Sequence, residues 1–145
     1  MGLYPVYERW LSDLAAAVDS ANASPEVRRP VRLWDFSGYN SITTEDVPDH
    51  GDGTVRMDWY WDSAHYTPAA GELVLARMIG DVVSVPRDFG ERLNTKTIPN
   101  LFAQEQRLRT RYSTLHPEEI ADVKHLVRAT AELRRRLIQQ YDATL

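Results

Sequence analysis

The chain has 145 residues, 43% hydrophobic and 26% charged, values that suit one globular domain with room for one sizeable core. Its net charge of −4 gives no global electrostatic case for a nucleic-acid partner. It has no cysteine, which excludes disulfides and thiolate metal sites and is silent about compartment.

The first predicted element is a helix over residues 5–22. Val6, Trp10, Leu14 and Val18 recur every four residues, Leu11 widens the stripe, and Pro5 suits a first helical turn. On this pattern Trp10 and Trp34 are expected in the core. Met1 to Pro5 has no basic region leading into an apolar one, so it does not read as a signal peptide, and no segment approaches the ~18 apolar residues of a membrane span. Residues 20–30 hold two prolines and two serines and predict a loop.

Val31 to Phe36 alternates and is rich in β-formers, predicting a strand. Ser37 to Thr54 is polar and without periodicity, and a structureless loop of that length is often functional. Val55 to Trp61 predicts a second strand. Thr67 to Ile79 predicts a helix, with Thr67 as N-cap, Pro68 at its first position and Gly80 to close it. Residues 84–96 predict irregular chain. Two helices follow, Ile98 to Leu115 and Pro117 to about Tyr141, the second with Glu118 and Glu119 in its first turn. Charge divides with these regions. Residues 1–80 carry six Lys/Arg and twelve Asp/Glu, and residues 81–145 carry eleven and nine. Two structural regimes are expected from that split.

The candidate chemistry lies at Asp62 and His65. A serine hydroxyl is a poor nucleophile until a base takes its proton. Histidine suits that task, and suits it best when a carboxylate holds its other ring nitrogen and fixes the tautomer. An Asp three residues before a His, in a turn leading into a helix, places both side chains at one point. The same pattern also describes an Asp that caps a turn beside a loop histidine.

The stretch WDSAHYTPAAGELVLARMIG resembles the C-terminal block of SGNH (GDSL-type) hydrolases, where an Asp-x-x-His pair precedes the last helix and supplies two members of a Ser-His-Asp triad. The upstream VRLWDFSGYNSIT and YERWLSDLAAAV, and the downstream PRDFGERLNTKTIPNLFAQEQRLRTRY, are similar to segments around that block in bacterial envelope-associated members. The resemblance implies an α/β architecture. Residues 1–83 would be the helix-rich C-terminal part of a flavodoxin-like, three-layer SGNH fold with few strands, and residues 84–145 a helical C-terminal extension. It implies ester hydrolysis or O-acyl transfer, with an acyl-ester or polysaccharide substrate, His65 as general base and Asp62 as its orienting acid. It implies no cofactor and no metal, and a periplasmic or envelope setting for a longer natural chain.

The family's Gly-Asp-Ser nucleophile block is missing. Gly51-Asp52-Gly53 has no serine, and Gly38-Tyr39-Asn40 only superficially matches the family's oxyanion block. The expectation is therefore a partial chain lacking its N-terminal half, inactive alone and prone to self-association. Ser37, Ser41 and Ser63 are the substitute nucleophiles to weigh against ordinary turn hydrogen bonding. The alternative is a non-enzymatic interaction or oligomerisation protein that uses its amphipathic C-terminal helices.

Other clusters have simpler readings beside functional ones. Trp59, Tyr60, Trp61 and Tyr66 form either a carbohydrate-binding face or a half-buried strand face. Asp46, Asp49, His50, Asp52 and Asp58 match no EF-hand spacing and fit a solvated loop. Arg134 to Arg136, with Arg128 and Lys124, read as a solvated helix face, with anionic lipid or nucleic acid as the functional counterpart. His116 and His125 have no partners at metal-ligand spacing.

Overall fold

A computed structural model describes residues 4–48, 54, 56–62, 64–81 and 83–142. Among these the elements are α1 (Tyr4–Asn22), β1 (Leu33–Asp35), α2 (Pro68–Ile79), β2 (Glu91–Leu93), α3 (Ile98–Leu115) and α4 (Pro117–Asp142). The chain is thus mixed, helix-rich, with one two-stranded sheet. It gathers into two compact units, residues 1–106 and 107–145. Residues 84–106, taken from sequence as part of the helical extension, fall in the first unit and supply β2. Among the described residues no helix is long and apolar enough to cross a membrane.

Helix α1 buries a different face from the expected one. Leu11 and Ala15 are its buried residues, while Val6 and Trp10 are 65% and 58% exposed. The packed stripe keeps the same four-residue step but starts one position later, about 100° around the helix, so the spacing alone does not choose between the two faces. The packed stripe runs through Tyr7, Leu11 and Ala15, which meet Leu33, Leu93, Ile98, Leu101 and Phe102. Polar clasps fix the helix end. Asn22 both donates to the Val31 carbonyl at 2.9 Å and accepts from the Val31 N–H at 2.8 Å. The Asp19 carboxylate accepts the Thr95 N–H and hydroxyl at 2.9 and 2.7 Å, which hold its pKa below the usual value.

β1 and β2 pair antiparallel, with Leu33 opposite Leu93 and Asp35 opposite Glu91. Trp34, expected in the core, is half-buried and belongs to neither core cluster. Its ring stacks on Phe36, yet its indole N–H is buried without a hydrogen-bond partner among the described residues. β2 falls in the stretch expected to be irregular. Its three residues, Glu-Arg-Leu, carry one apolar side chain, so pairing with β1 rather than local preference makes it a strand.

The strand expected over Val55 to Trp61 is not formed. Val55 lies outside the described residues. Over 56–61 the chain bends, and Tyr60 makes a single bridge to Tyr66. The reason is a competing acceptor. The Glu45 carboxylate takes the N–H groups of Asp58, Trp59 and Tyr60 at 2.8–3.1 Å, where a sheet neighbour would otherwise bond.

The second core holds Ile42, Val85 and Phe89, packed by Phe36, Trp59, Leu73 and Val74. Arg77 of α2 ties it together, donating from Nε to the Phe89 carbonyl at 2.8 Å and from Nη2 to the Pro86 carbonyl. Gly90 sits at φ +85°, and a Cβ there would lie 2.5 Å from the Phe36 ring. Only glycine fits both the conformation and the space.

In the second unit, α3 and α4 meet at a polar corner. The Glu119 carboxylate accepts the Tyr112 hydroxyl at 2.6 Å and pairs with His116 Nδ1 at 2.8 Å, which lowers its pKa in that order. His116 stacks on Tyr112 at 4.3 Å. It is a helix-junction residue.

Candidate functional site

The site is built on a short hairpin. Trp61 N–H donates to the His65 carbonyl and Thr67 N–H to the Trp59 carbonyl, both at 2.8 Å, around the Tyr60–Tyr66 bridge. Asp62 closes the turn. Its Oδ1 accepts the N–H groups of Ala64 and His65, each at 2.8 Å. Its Oδ2 meets His65 Nδ1 at 2.7 Å. The three-residue spacing therefore does bring acid and imidazole together.

Thr67 carries the hairpin into α2. Its hydroxyl donates to the Asp58 carbonyl at 2.9 Å and caps the Ala70 N–H at 3.4 Å, while Pro68 opens the helix. Gly80, at φ +94°, ends it. The hairpin is thus held from both sides, by Glu45 at its first arm and by a helix start at its second.

These bonds lower the Asp62 pKa to about 2. The Ala64 N–H is the largest cause, followed by the His65 side chain and the His65 N–H. Turn closure thus contributes more than the histidine does. The pair is open to solvent, with side chains 54% exposed for Asp62 and 73% for His65. A catalytic aspartate of a working triad is buried. An exposed ion pair adds little to stability.

A cleft of about 1140 Å³ lies between the 36–48 loop and the hairpin. Phe36, Tyr60, Trp61 and Tyr66 give it aromatic walls; Ser37, Glu45, Arg56 and Asp62 give it polar ones. Burial, and then the nearby Glu45 carboxylate, raises the Tyr60 phenol. Asp62 lines the cleft and His65 does not. Trp61 and Tyr66 are 69% and 59% exposed, so they stand on its rim rather than on a half-buried strand.

The loop is ordered by side chains. Asn40 Oδ1 accepts the N–H groups of Ile42 and Thr43 at 3.0 Å, and Nδ2 donates to the Ser37 carbonyl at 3.1 Å. Asn40 is consequently occupied with the turn, in keeping with its not matching an oxyanion donor. Ser41 bonds the Asp88 carboxylate through N–H and hydroxyl, both at 2.8 Å. The Ser37 hydroxyl donates to Asp35 at 2.7 Å and contacts the Tyr7 hydroxyl at 3.0 Å. Neither serine is bonded to His65. Ser63 and Gly51-Asp52-Gly53 lie outside the described residues.

Glu45, Asn40 and Asp88 were not apparent from sequence as partners of the site. Glu45 and Asp88 act across 13 to 47 positions, beyond any local spacing rule. The one local signal was Asn40 two and three residues before Ile42 and Thr43, the spacing of an Asx-turn. Of the acidic group, Asp46 and Asp58 are described, whereas Asp49, His50 and Asp52 lie outside the described residues. Among the described residues no group of three or more His, Asp or Glu is placed to hold a metal ion. No family model, no curated protein and no solved structure matches the chain.

Proposed function

We propose that Asp62 and His65 are the acid–base end of an acyl-transfer site, in a chain related to the C-terminal part of SGNH-type hydrolases. The 2.7 Å contact between Asp62 Oδ2 and His65 Nδ1 carries this reading. With Nδ1 donating to the carboxylate, Nε2 is the nitrogen left to take a proton from a serine hydroxyl. Asp62 holds the ring by one oxygen while its other oxygen is fixed by two backbone N–H groups, so the carboxylate itself is pre-oriented. The aromatic-walled cleft beside Asp62 offers room for an acyl ester on a sugar-like acceptor.

The nucleophile and oxyanion donors come from outside the described residues in this reading, and the incoming surface also removes water from the exposed pair. Without them Asp62 and His65 have no hydroxyl to activate. A triad missing its serine keeps only the contributions of the oxyanion hole and binding.

The test is acetyl-ester hydrolysis by the natural protein purified from its source, beside its His65→Ala variant. General acid–base catalysis contributes about 10²–10⁴-fold, so the variant is expected to lose at least about 10² in kcat. An inactive natural protein, or full activity after His65→Ala, refutes the proposal.

A further inference from the structure

Helix α4 runs for 26 residues, about 39 Å at 1.5 Å per residue. Val123, Leu126, Val127, Leu133, Leu137 and Ile138 on it are each more than half exposed. Positions 120, 123, 127, 130, 134 and 137 step alternately by three and four, the spacing of a two-helix seam. Leu126 and Leu133 flank that seam on one side. The charges are graded along the same helix. Glu118, Glu119 and Asp122 lie in its first two turns, and Arg134, Arg135 and Arg136 near its end.

We propose that α4 pairs with α4 of a second copy of this chain, in antiparallel orientation. The charge gradient selects both partner and direction. A parallel pair sets the arginine triplets of the two copies side by side, and like charges in register are strongly unfavourable. An antiparallel pair sets each acidic start against the other copy's arginines, so the surface is complementary to itself. The register with Ile120 opposite Leu137 also sets Val127 opposite Thr130 and Leu126 beside Leu133, and it brings the acidic start of one copy level with Arg134 to Arg136 of the other. Every such contact then occurs twice about the two-fold axis. Arg134, which interrupts the seam opposite Val123, is long enough to extend its guanidinium to the partner's acidic turn.

The absence of native cysteine makes the orientation directly readable. Ile120→Cys and Leu137→Cys are made separately in the full chain, mixed and oxidised. The expected product joins the two different variants, with little disulfide formed within either alone. A second measurement exchanges the flanking pair. By sedimentation, Leu133→Glu weakens the dimer at least about tenfold, and Leu133→Glu with Leu126→Lys restores it. Disulfides within each single variant, a monomer at micromolar concentration, or no rescue by the double exchange overturns the proposal.

Discussion

Residues 36–90 and helix α4 solve opposite problems. Among its described residues the first stretch has little regular structure outside α2, yet its chain is held by side chains. Asn40, Glu45, Asp62, Arg77 and Asp88 each bond backbone groups that no strand or helix partners. Helix α4 is regular over 26 residues and exposes apolar side chains along its length. Secondary structure without burial leaves a helix seeking a partner, whereas polar clasps with a small core leave a site that depends on a few residues.

That contrast is broken most severely at Gly90. Gly90→Val combines a disfavoured left-handed φ with a 2.5 Å clash against Phe36, and is expected to cost about 3 kcal/mol or more, measured by urea unfolding. Glu45→Ala strands three N–H groups and should cost about 2 kcal/mol in the same measurement. In contrast, Leu133→Glu on α4 should leave the unfolding free energy of the first unit in urea unchanged within about 0.5 kcal/mol while abolishing the self-association that sedimentation would detect.

Acid sharpens the comparison further. Asp62 has a folded pKa of about 2 against 3.8 for the free group, so its stabilisation is fully present above about pH 4 and is lost as pH falls through about 2. The stability advantage of the wild type over Asp62→Asn should therefore shrink between pH 4 and pH 2, and a constant difference across that window would contradict the assignment. The smallest effect is expected at Trp34→Phe. It removes a buried N–H that has no partner among the described residues, so the loss of packing is offset and the change should stay within about 1 kcal/mol.

Much of the fold was legible in local sequence. Thr67-Pro68, Gly80 and Pro117 punctuate helices through backbone chemistry that does not depend on distant residues; α2 begins and ends at such signals, α3 ends just before Pro117 and α4 begins there. The faces and strands were less legible because distant groups decide them. Ala15, rather than Trp10, lies in the first core because a side chain that small lets the β2 and α3 residues approach. Trp59 and Tyr60 carry strand-forming side chains, but Glu45, fourteen or more positions away, takes their N–H groups. β2 is visible only once β1 is beside it. At the site, the three-residue spacing of Asp62 and His65 was readable because both ends of the bond lie in one turn. The exposure of the pair was not, since it depends on which surfaces lie over the turn.

The most direct test of the central claim is the tautomer of neutral His65, read from its ring nitrogens by long-range ¹⁵N–¹H NMR. The Asp62 contact requires the proton on Nδ1, with Nε2 left as the acceptor, and Asp62→Asn should alter that spectrum. A neutral ring carrying its proton on Nε2, or a spectrum indifferent to Asp62→Asn, would contradict the claim that this turn holds an acid and a base in working order.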